Sequence, residues 1–307
     1  VQGTAVDGLR SIKDIPDSSF QEEVRRMKIE KAIRRVLPAT ARLTYNPIFK
    51  MLVDSLDVIP KRMYQELAKI PPNHMRIRIG VGNRILANHV IFVTGSKDFW
   101  MHAFHAGLCR LDSTIIDIGS GCGRYAHPLR DYHFKSERFS GRYIGIDIDE
   151  EMLEWCRRNF DAERFTFHQS IHASKAYRVN ANSNGHTYYE LPVEDASADF
   201  VFSTSLFTHL LEQELINYCQ ESYRVLKPGG HMSMFCFSMD HPPPTFGDRH
   251  TFRHRMGNAY VESLQSPEAA VAYHESFLFE VARQVGFRSA EIQTAAGDWQ
   301  PALLCQK

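Results

Sequence analysis

An α/β fold with a doubly wound, mostly parallel sheet and an N-terminal helical cap is predicted by three features of the sequence. From about residue 112, short apolar runs alternate with amphipathic helical segments, as in sheets whose strands are joined by crossover helices. At the end of the first run, IIDIGSGCGR sets Gly119, Gly121 and Gly123 at every second position. Such a turn bends sharply and lets a ligand approach bare backbone. Ahead of it, residues 1–90 read as helices carrying 16 basic and 9 acidic side chains, while residues 91–307 carry 20 and 27.

The elements follow in order. SSFQEEVRRMKIEKAIRRVL has Ser18 or Ser19 as a possible N-cap, with Val24, Met27, Ile33, Val36 and Leu37 near helical spacing before Pro38. Its opposite face is rich in Arg and Lys, which suits a solvated surface or a peripheral membrane contact through residues 20–37. Short helices are predicted over 47–58 and 60–69, bounded by Pro47, Pro60 and Pro71-Pro72. TIIDI, RYIGID, RFTFH, ADFVFS and GHMSMFCF read as buried strands, and EEMLEWCRRNF and EQELINYCQESYRVL as helices between them. YHESFLFEVARQVGF supplies one more helix, and SAEIQTA and PALLCQ two terminal strands. Residues 240–260, rich in His, Pro and Arg, read as a long loop, part of a lid-like insertion at about 240–270. The expected organisation is a basic accessory region over 1–90 and a ligand-binding domain over 91–307.

Composition narrows the class. The 36 basic and 36 acidic side chains balance, and residues 91–307 show no basic stripe interleaved with aromatics, so a nucleic-acid channel is not expected. Six cysteines without metal-ligand spacing suggest neither a zinc site nor a disulfide framework. No apolar run reaches membrane-spanning length, and VQGTAVDGLR lacks the apolar segment of a secretory signal, so a cytoplasmic protein is expected. The number of chains in the assembly is not legible.

The glycine spacing discriminates between cofactors. A dinucleotide fold wants G-x-G-x-x-G, but residue 124 is Arg, and the pattern here is G-x-G-x-G preceded by Asp117. Asp117-Ile-Gly119-Ser-Gly121-Cys-Gly123 resembles the first motif of class I S-adenosylmethionine-dependent methyltransferases. YIGIDIDEEMLEWC resembles their second-strand motif, LPVEDASADFVFSTSLFTHL their fourth-strand region, and RVLKPGG the turn before their fifth strand. The resemblance spans roughly residues 90–307. It implies a Rossmann-like, seven-stranded sheet with the last strand antiparallel, and S-adenosylmethionine as cofactor. It also implies that Asp147 holds the ribose hydroxyls. The helix after the glycines suits the cofactor's carboxylate and Asp117 its ammonium. Ile148 and Ile171 are expected to wall the adenine, Ser170 or His172 to meet its amino group, and Ser203 to border the site.

Methyl transfer needs an acceptor held in line with the methyl, and a hydroxyl acceptor needs a base. His209, after the fourth strand in STSLFTHL, is the first candidate base, although the same position suits a histidine that packs or caps the next helix. Asp240 and His241, at the end of the fifth strand, are further catalytic candidates, with His254, Arg253 and Arg255 in the insertion and Trp100, His102 and His105 before the first strand. Their spacing demands no metal. The STSL end of the fourth strand lacks the Asn/Asp-Pro-Pro-aromatic segment of amino methyltransferases. The extended pattern, with F-x-F, Tyr177 and NANSNG, resembles bacterial methyltransferases connected with glycan modification, which implies a sugar hydroxyl as acceptor. A small natural-product or phenolic hydroxyl is the alternative, as is a non-catalytic cofactor-binding module acting through its basic N-terminal cap.

Overall fold

The computed structural model describes residues 43–80, 85–86, 88–170, 189–204, 206–241, 250–294 and 300–307. The expected helix over 18–37, with its membrane contact, and Ile171, His172, Tyr177 and NANSNG lie outside the described residues.

Seven strands form the main sheet: β1 (Thr114–Ile118), β2 (Arg142–Asp147), β3 (Phe165–Gln169), β4 (Ala198–Ser203), β5 (Leu226–Phe235), β6 (Ser289–Gln293) and β7 (Ala302–Gln306). Their order is β6-β7-β5-β4-β1-β2-β3. β1 to β5 pair in parallel, while β7 runs antiparallel to both β5 and β6. The chain winds outward from β1 to β3 and then returns beside β1 with β4, which opens a crevice beyond the carboxyl ends of β1 and β4.

Strand alternation divides the core between the two faces. Ile116, Ile118, Val201 and Met232 pack with Leu215 and Leu278 of the helices α7 (Glu212–Val225) and α8 (Glu275–Val285). Ile115, Tyr143, Phe200 and Phe202 pack on the other face with Trp100 of α4 (Asn88–His105) and Leu153 of α6 (Glu150–Asn159). Asp117 shares the Ile115 side of β1, so its carboxyl faces this aromatic cluster. α6 starts at Asp149, whose side chain accepts from the Met152 amide, and it carries Glu150 and Glu151 in its first turn, as the helix dipole favours.

The insertion is more ordered than a lid-like loop. Phe237–Ser238, Val271–Tyr273, Ala259–Val261 and His254–Met256 form a second, four-stranded sheet in that order. Its outer hairpin turns at Gly257-Asn258, with φ of 63° at Gly257. That glycine in a two-residue loop, between short β-favouring runs, was the available signal. Residues 242–249 lie outside the described residues.

The N-terminal region comprises α1 (Pro47–Ser55), α2 (Val58–Met63), a 3₁₀ turn at Gln65–Leu67 and α3 (Asn73–Arg78). α5 (Ala126–Leu129) follows the glycine turn. Pro60 does not separate two helices as expected. It sits in the first turn of α2, where its missing N–H costs nothing. α4 starts at Asn88 and crosses the expected boundary at residue 90. A buried polar network ties these helices together. Arg76 forks onto Asp57, with Nη1 donating to Oδ2 at 2.8 Å and Nη2 to Oδ1 at 2.6 Å, while its Nε donates to Asn88 Oδ1 at 2.9 Å. Asn88 Nδ2 donates to Asn73 Oδ1 at 2.7 Å, and Asn73 Nδ2 to the Val53 carbonyl at 2.9 Å. Removing one partner of a buried pair leaves a charge without compensation. Arg76→Met should therefore cost about 3–5 kcal/mol in urea unfolding, and adding Asp57→Asn should recover part of the loss.

Candidate functional site

The crevice between β1 and β4 is floored by the glycine turn. Gly119, Gly121 and Gly123 have φ of 86°, 52° and 75°, a region that L side chains rarely occupy. A Cβ added at Gly119 would meet only Leu206, at 3.7 Å, so its backbone faces open space. At Gly121 the added atom would stand 2.6 Å from Ile79 Cγ2, because the residue after α3 closes over the turn. Gly119 N and Ser120 N donate to the Ile146 carbonyl at 2.8 and 3.1 Å, which locks the turn onto β2.

Two acids flank this floor. Asp117 is fully buried; Tyr143 donates its hydroxyl to Oδ2, while Oδ1 is buried and has no hydrogen-bond partner. Burial raises its pKa to about 7; the Tyr143 bond and Arg124 oppose the rise, and the Asp147 charge adds to it. The second acid, Asp147, ends β2. Its Oδ2 accepts from Gly121 N at 2.7 Å and its Oδ1 from Asp149 N at 2.9 Å. Burial raises its pKa as well, and the backbone donors counter it.

The N-terminal region roofs this part of the site. Arg78 donates from Nη1 to Asp149 Oδ2 and from Nη2 to Glu151 Oε2, both at 2.6 Å, with its guanidinium 4.5 Å from the Tyr45 ring centre. Tyr45 donates to Asp149 Oδ2 at 3.2 Å, and Lys50 to Glu151 Oε1 at 2.5 Å. The two cations hold the Glu151 carboxyl down to a pKa of about 2, against the desolvation that would raise it.

The other sequence candidates fall as follows. Ser170 N donates to the Asp147 carbonyl at 2.7 Å, and its hydroxyl shares hydrogen bonds with Tyr189 and Tyr218. Ile148 is half-buried beside Asp147. Ser203, buried at the tip of β4, accepts from Leu206 N at 3.3 Å and shapes the exit from that strand. His209 ends a 3₁₀ turn, with Nδ1 2.9 Å from the Glu268 carbonyl and a further hydrogen bond to the backbone of Ala269. It therefore grips the turn at Pro267–Ala269 in the insertion.

Asp240 and His241 are engaged with α8. Asp240 accepts from Glu275 N at 2.7 Å and lies 2.9 Å from His274 Nδ1, while His241 Nδ1 lies 2.5 Å from Glu275 Oε1. These bonds fasten the end of β5 to the first turn of α8. His254 is exposed on the outer strand, Arg253 is also exposed, and Arg255 donates to the Gly257 carbonyl at 2.9 Å. Trp100 is buried, its Nε1 2.7 Å from the Tyr125 carbonyl, whereas His102 and His105 are exposed. Among the described residues no group of three or more His, Cys, Asp or Glu is placed to share a metal ion. Tyr143, Arg124, Ile79 and Arg78 are functional candidates that sequence reasoning missed; nothing in periodicity marks a buried tyrosine as the partner of an acid one strand away.

This strand order, with its bare turn at the switch point and an acid on the neighbouring strand tip, is that of the Rossmann-like methyltransferase fold. Residues 116–234, from β1 through β5, match the family model described as a methyltransferase domain. Among curated proteins, an arsenite methyltransferase of Aquipseudomonas alcaligenes is 31% identical over 124 residues, 38% of this chain and 31% of that protein. A malonyl-[acyl-carrier protein] O-methyltransferase of Marinomonas sp. is 26% identical over 162 residues, 50% of this chain and 52% of that one. The chain thus spans about a third to a half of the length of the curated relatives it matches. A solved S-adenosylmethionine-dependent methyltransferase from Aquifex aeolicus is similar at 17% identity, covering 70% of this chain and 91% of that one with a TM-score of 0.42.

The domain's cofactor is S-adenosylmethionine, and the residues present fit it. A buried carboxyl oxygen without a partner suits an ammonium group, and open backbone at Gly119 leaves room beside it. The ionised carboxylate attracts the cation and the protonated acid does not. Affinity for S-adenosylmethionine should therefore be flat just above about pH 7 and weaken towards about tenfold per pH unit below it. Asp117→Asn should bind roughly ten- to hundredfold more weakly, on about 1.5–3 kcal/mol for a hydrogen bond to a charged group, and should lose this pH dependence. Titration calorimetry of both proteins across neutral and mildly acid pH measures both effects.

Proposed function

We propose that the chain is an S-adenosylmethionine-dependent methyltransferase acting on a hydroxyl of a small acceptor, a sugar or sugar-like metabolite. The observation that carries the cofactor half of this reading is the buried, unpartnered Asp117 Oδ1 beside the glycine turn. In this reading Asp117 takes the ammonium, amides of the Gly119, Gly121 and Gly123 turn take the carboxylate, and Asp147 takes the ribose hydroxyls on its remaining lone pairs. Ile148 borders the adenine, with Ser170 and Ser203 at the margins. The cofactor supplies an electrophilic methyl group on a positively charged sulfur. The chain's part is to hold the acceptor close and in line, and to receive its proton.

An oxygen acceptor is favoured by two properties of the side chains. Burial lowers the pKa of His209, so its imidazole is neutral at neutral pH, the form that can take a proton, and its bonds to the Pro267–Ala269 turn fix the ring. Arsenite, named for one relative, is a soft centre that calls for thiolates. All six cysteines here are buried, and burial pushes the thiols of Cys122, Cys236 and Cys305 up to about 12. The malonyl O-methyltransferase named for the other relative shares an oxygen acceptor, there a carboxylate that needs no base. Asp240 and His241 are left out of the proposed chemistry, since their side chains hold α8.

The test follows labelled methyl transfer from S-adenosylmethionine to a panel of hydroxylated saccharides and phenols. His209→Gln should retain cofactor affinity and melting temperature but lose about 10²–10⁴ in kcat. A loss of turnover that merely tracks a loss of folded protein would make His209 a clamp and remove it from the mechanism. Label that enters phenols alone would move the acceptor to the phenolic class.

A further inference from the structure

α1 and α2 are amphipathic in the inverted sense. Ile48, Met51 and Leu52 stand at i, i+3 and i+4 on one face of α1, and Ile59 and Met63 at i and i+4 on α2. These side chains are exposed, Ile48, Met51, Ile59 and Met63 by 66–69% each. Four charged residues of the same segment, Lys50, Asp54, Asp57 and Lys61, face the body of the protein. Lys50 reaches Glu151, Asp54 Oδ2 lies 2.7 Å from His74 Nδ1, Asp57 is buried on Arg76, and Lys61 donates to the Ile70 carbonyl at 3.0 Å. A surface helix ordinarily turns its apolar stripe to the core and its charges to water. Here ten of the fifteen large apolar side chains exposed among the described residues fall between Leu43 and Tyr64. A patch of that kind marks a contact with something other than water.

Charge decides what that contact is. Both carboxylates between Leu43 and Tyr64, Asp54 and Asp57, turn inward to His74 and Arg76, so the outer face presents no acid, while Arg62 is exposed on it. Directly ahead in sequence, residues 25–42 hold seven basic side chains and one acid, Glu30. Tyr64, exposed at the end of the stripe, is an amphipathic ring of the kind that favours a lipid–water boundary. We infer that the α1–α2 face docks on an anionic lipid surface, its apolar stripe entering the headgroup boundary with Arg62 on the same segment and a basic run preceding it in sequence. The polar side of the same segment holds Asp149 and Glu151, next to the acid at the tip of β2. Docking therefore sets the roofed end of the crevice towards the lipid, a placement that goes beyond the proposed reaction and does not depend on it.

Co-sedimentation of the full chain with vesicles tests this. The protein should pellet with phosphatidylglycerol–phosphatidylcholine vesicles, much less with phosphatidylcholine alone, and less again in high salt. Met51→Asp combined with Ile59→Asp should weaken vesicle binding tenfold or more while leaving melting temperature and S-adenosylmethionine affinity unchanged. Leu264→Asp, at an exposed apolar residue elsewhere, should bind as the unaltered protein does. Protein that stays in the supernatant with anionic vesicles at low salt overturns the inference, as does a double variant that pellets normally. A fall in melting temperature of the double variant without lipid would show the stripe buried by residues 1–42 of the chain itself. A concentration-dependent dimer abolished by the same variant would give the face to a second copy. Either result would overturn the lipid assignment.

Discussion

The carboxyl of Asp117 is the constraint around which the site is built. A titratable group with no exposed surface costs several kcal/mol unless it is hydrogen-bonded or neutral. The fold meets half of that demand through Tyr143 from β2 and partially offsets it with Arg124, just past the glycine turn. The other half is left open at Oδ1, which is buried and has no hydrogen-bond partner. A cation placed at Oδ1 would favour the ionised form and satisfy the buried oxygen together. The positive-φ turn that begins two residues later is reserved for glycine by its backbone, since Gly119 has a φ of 86°.

The parallel sheet, the order of its elements and the glycine turn were legible because each rests on a local rule. Alternating apolar runs specify strands, helical spacing specifies the segments between them, and three glycines at every second residue specify a backbone that side chains would forbid. The acid at the end of β2 was legible through its place in the motif. Pairings across space were not. Tyr143 reads as one more apolar residue in RYIGID, and its value lies in the register that brings β2 alongside β1. The small sheet of the insertion was hidden because its strands have three residues or fewer, too short for periodicity, and Gly257-Asn258 alone betrays the hairpin.

Titratable residues near strand ends deserved more suspicion as structural devices. Asp240 and His241 stand in sequence where a methyl acceptor would be met, yet the chain uses them to satisfy the free amide and first-turn acid of α8. His209 serves a similar need at the Pro267–Ala269 turn, with the difference that burial leaves it neutral. A histidine or aspartate beside a helix start has two physical uses, and sequence spacing cannot separate them.

The N-terminal helices carry the same logic to the surface. In this segment Lys50, Asp54 and Asp57 are engaged inward, by Glu151, His74 and Arg76. What holds it is charge pairing at the start of α6, a buried network around Asp57, and the packing of Leu67, Ile70 and Met75 against Phe92, Cys122 and Met152. Such pairing specifies one docking geometry more sharply than it stabilises it. The segment is thereby kept in register over Gly121 through Ile79 while its apolar atoms remain available outside. A cofactor roof and an apolar outer face are two consequences of one inversion. Neither could be seen from hydropathy alone, because hydropathy reports how apolar a helix is and not which way its apolar side is turned.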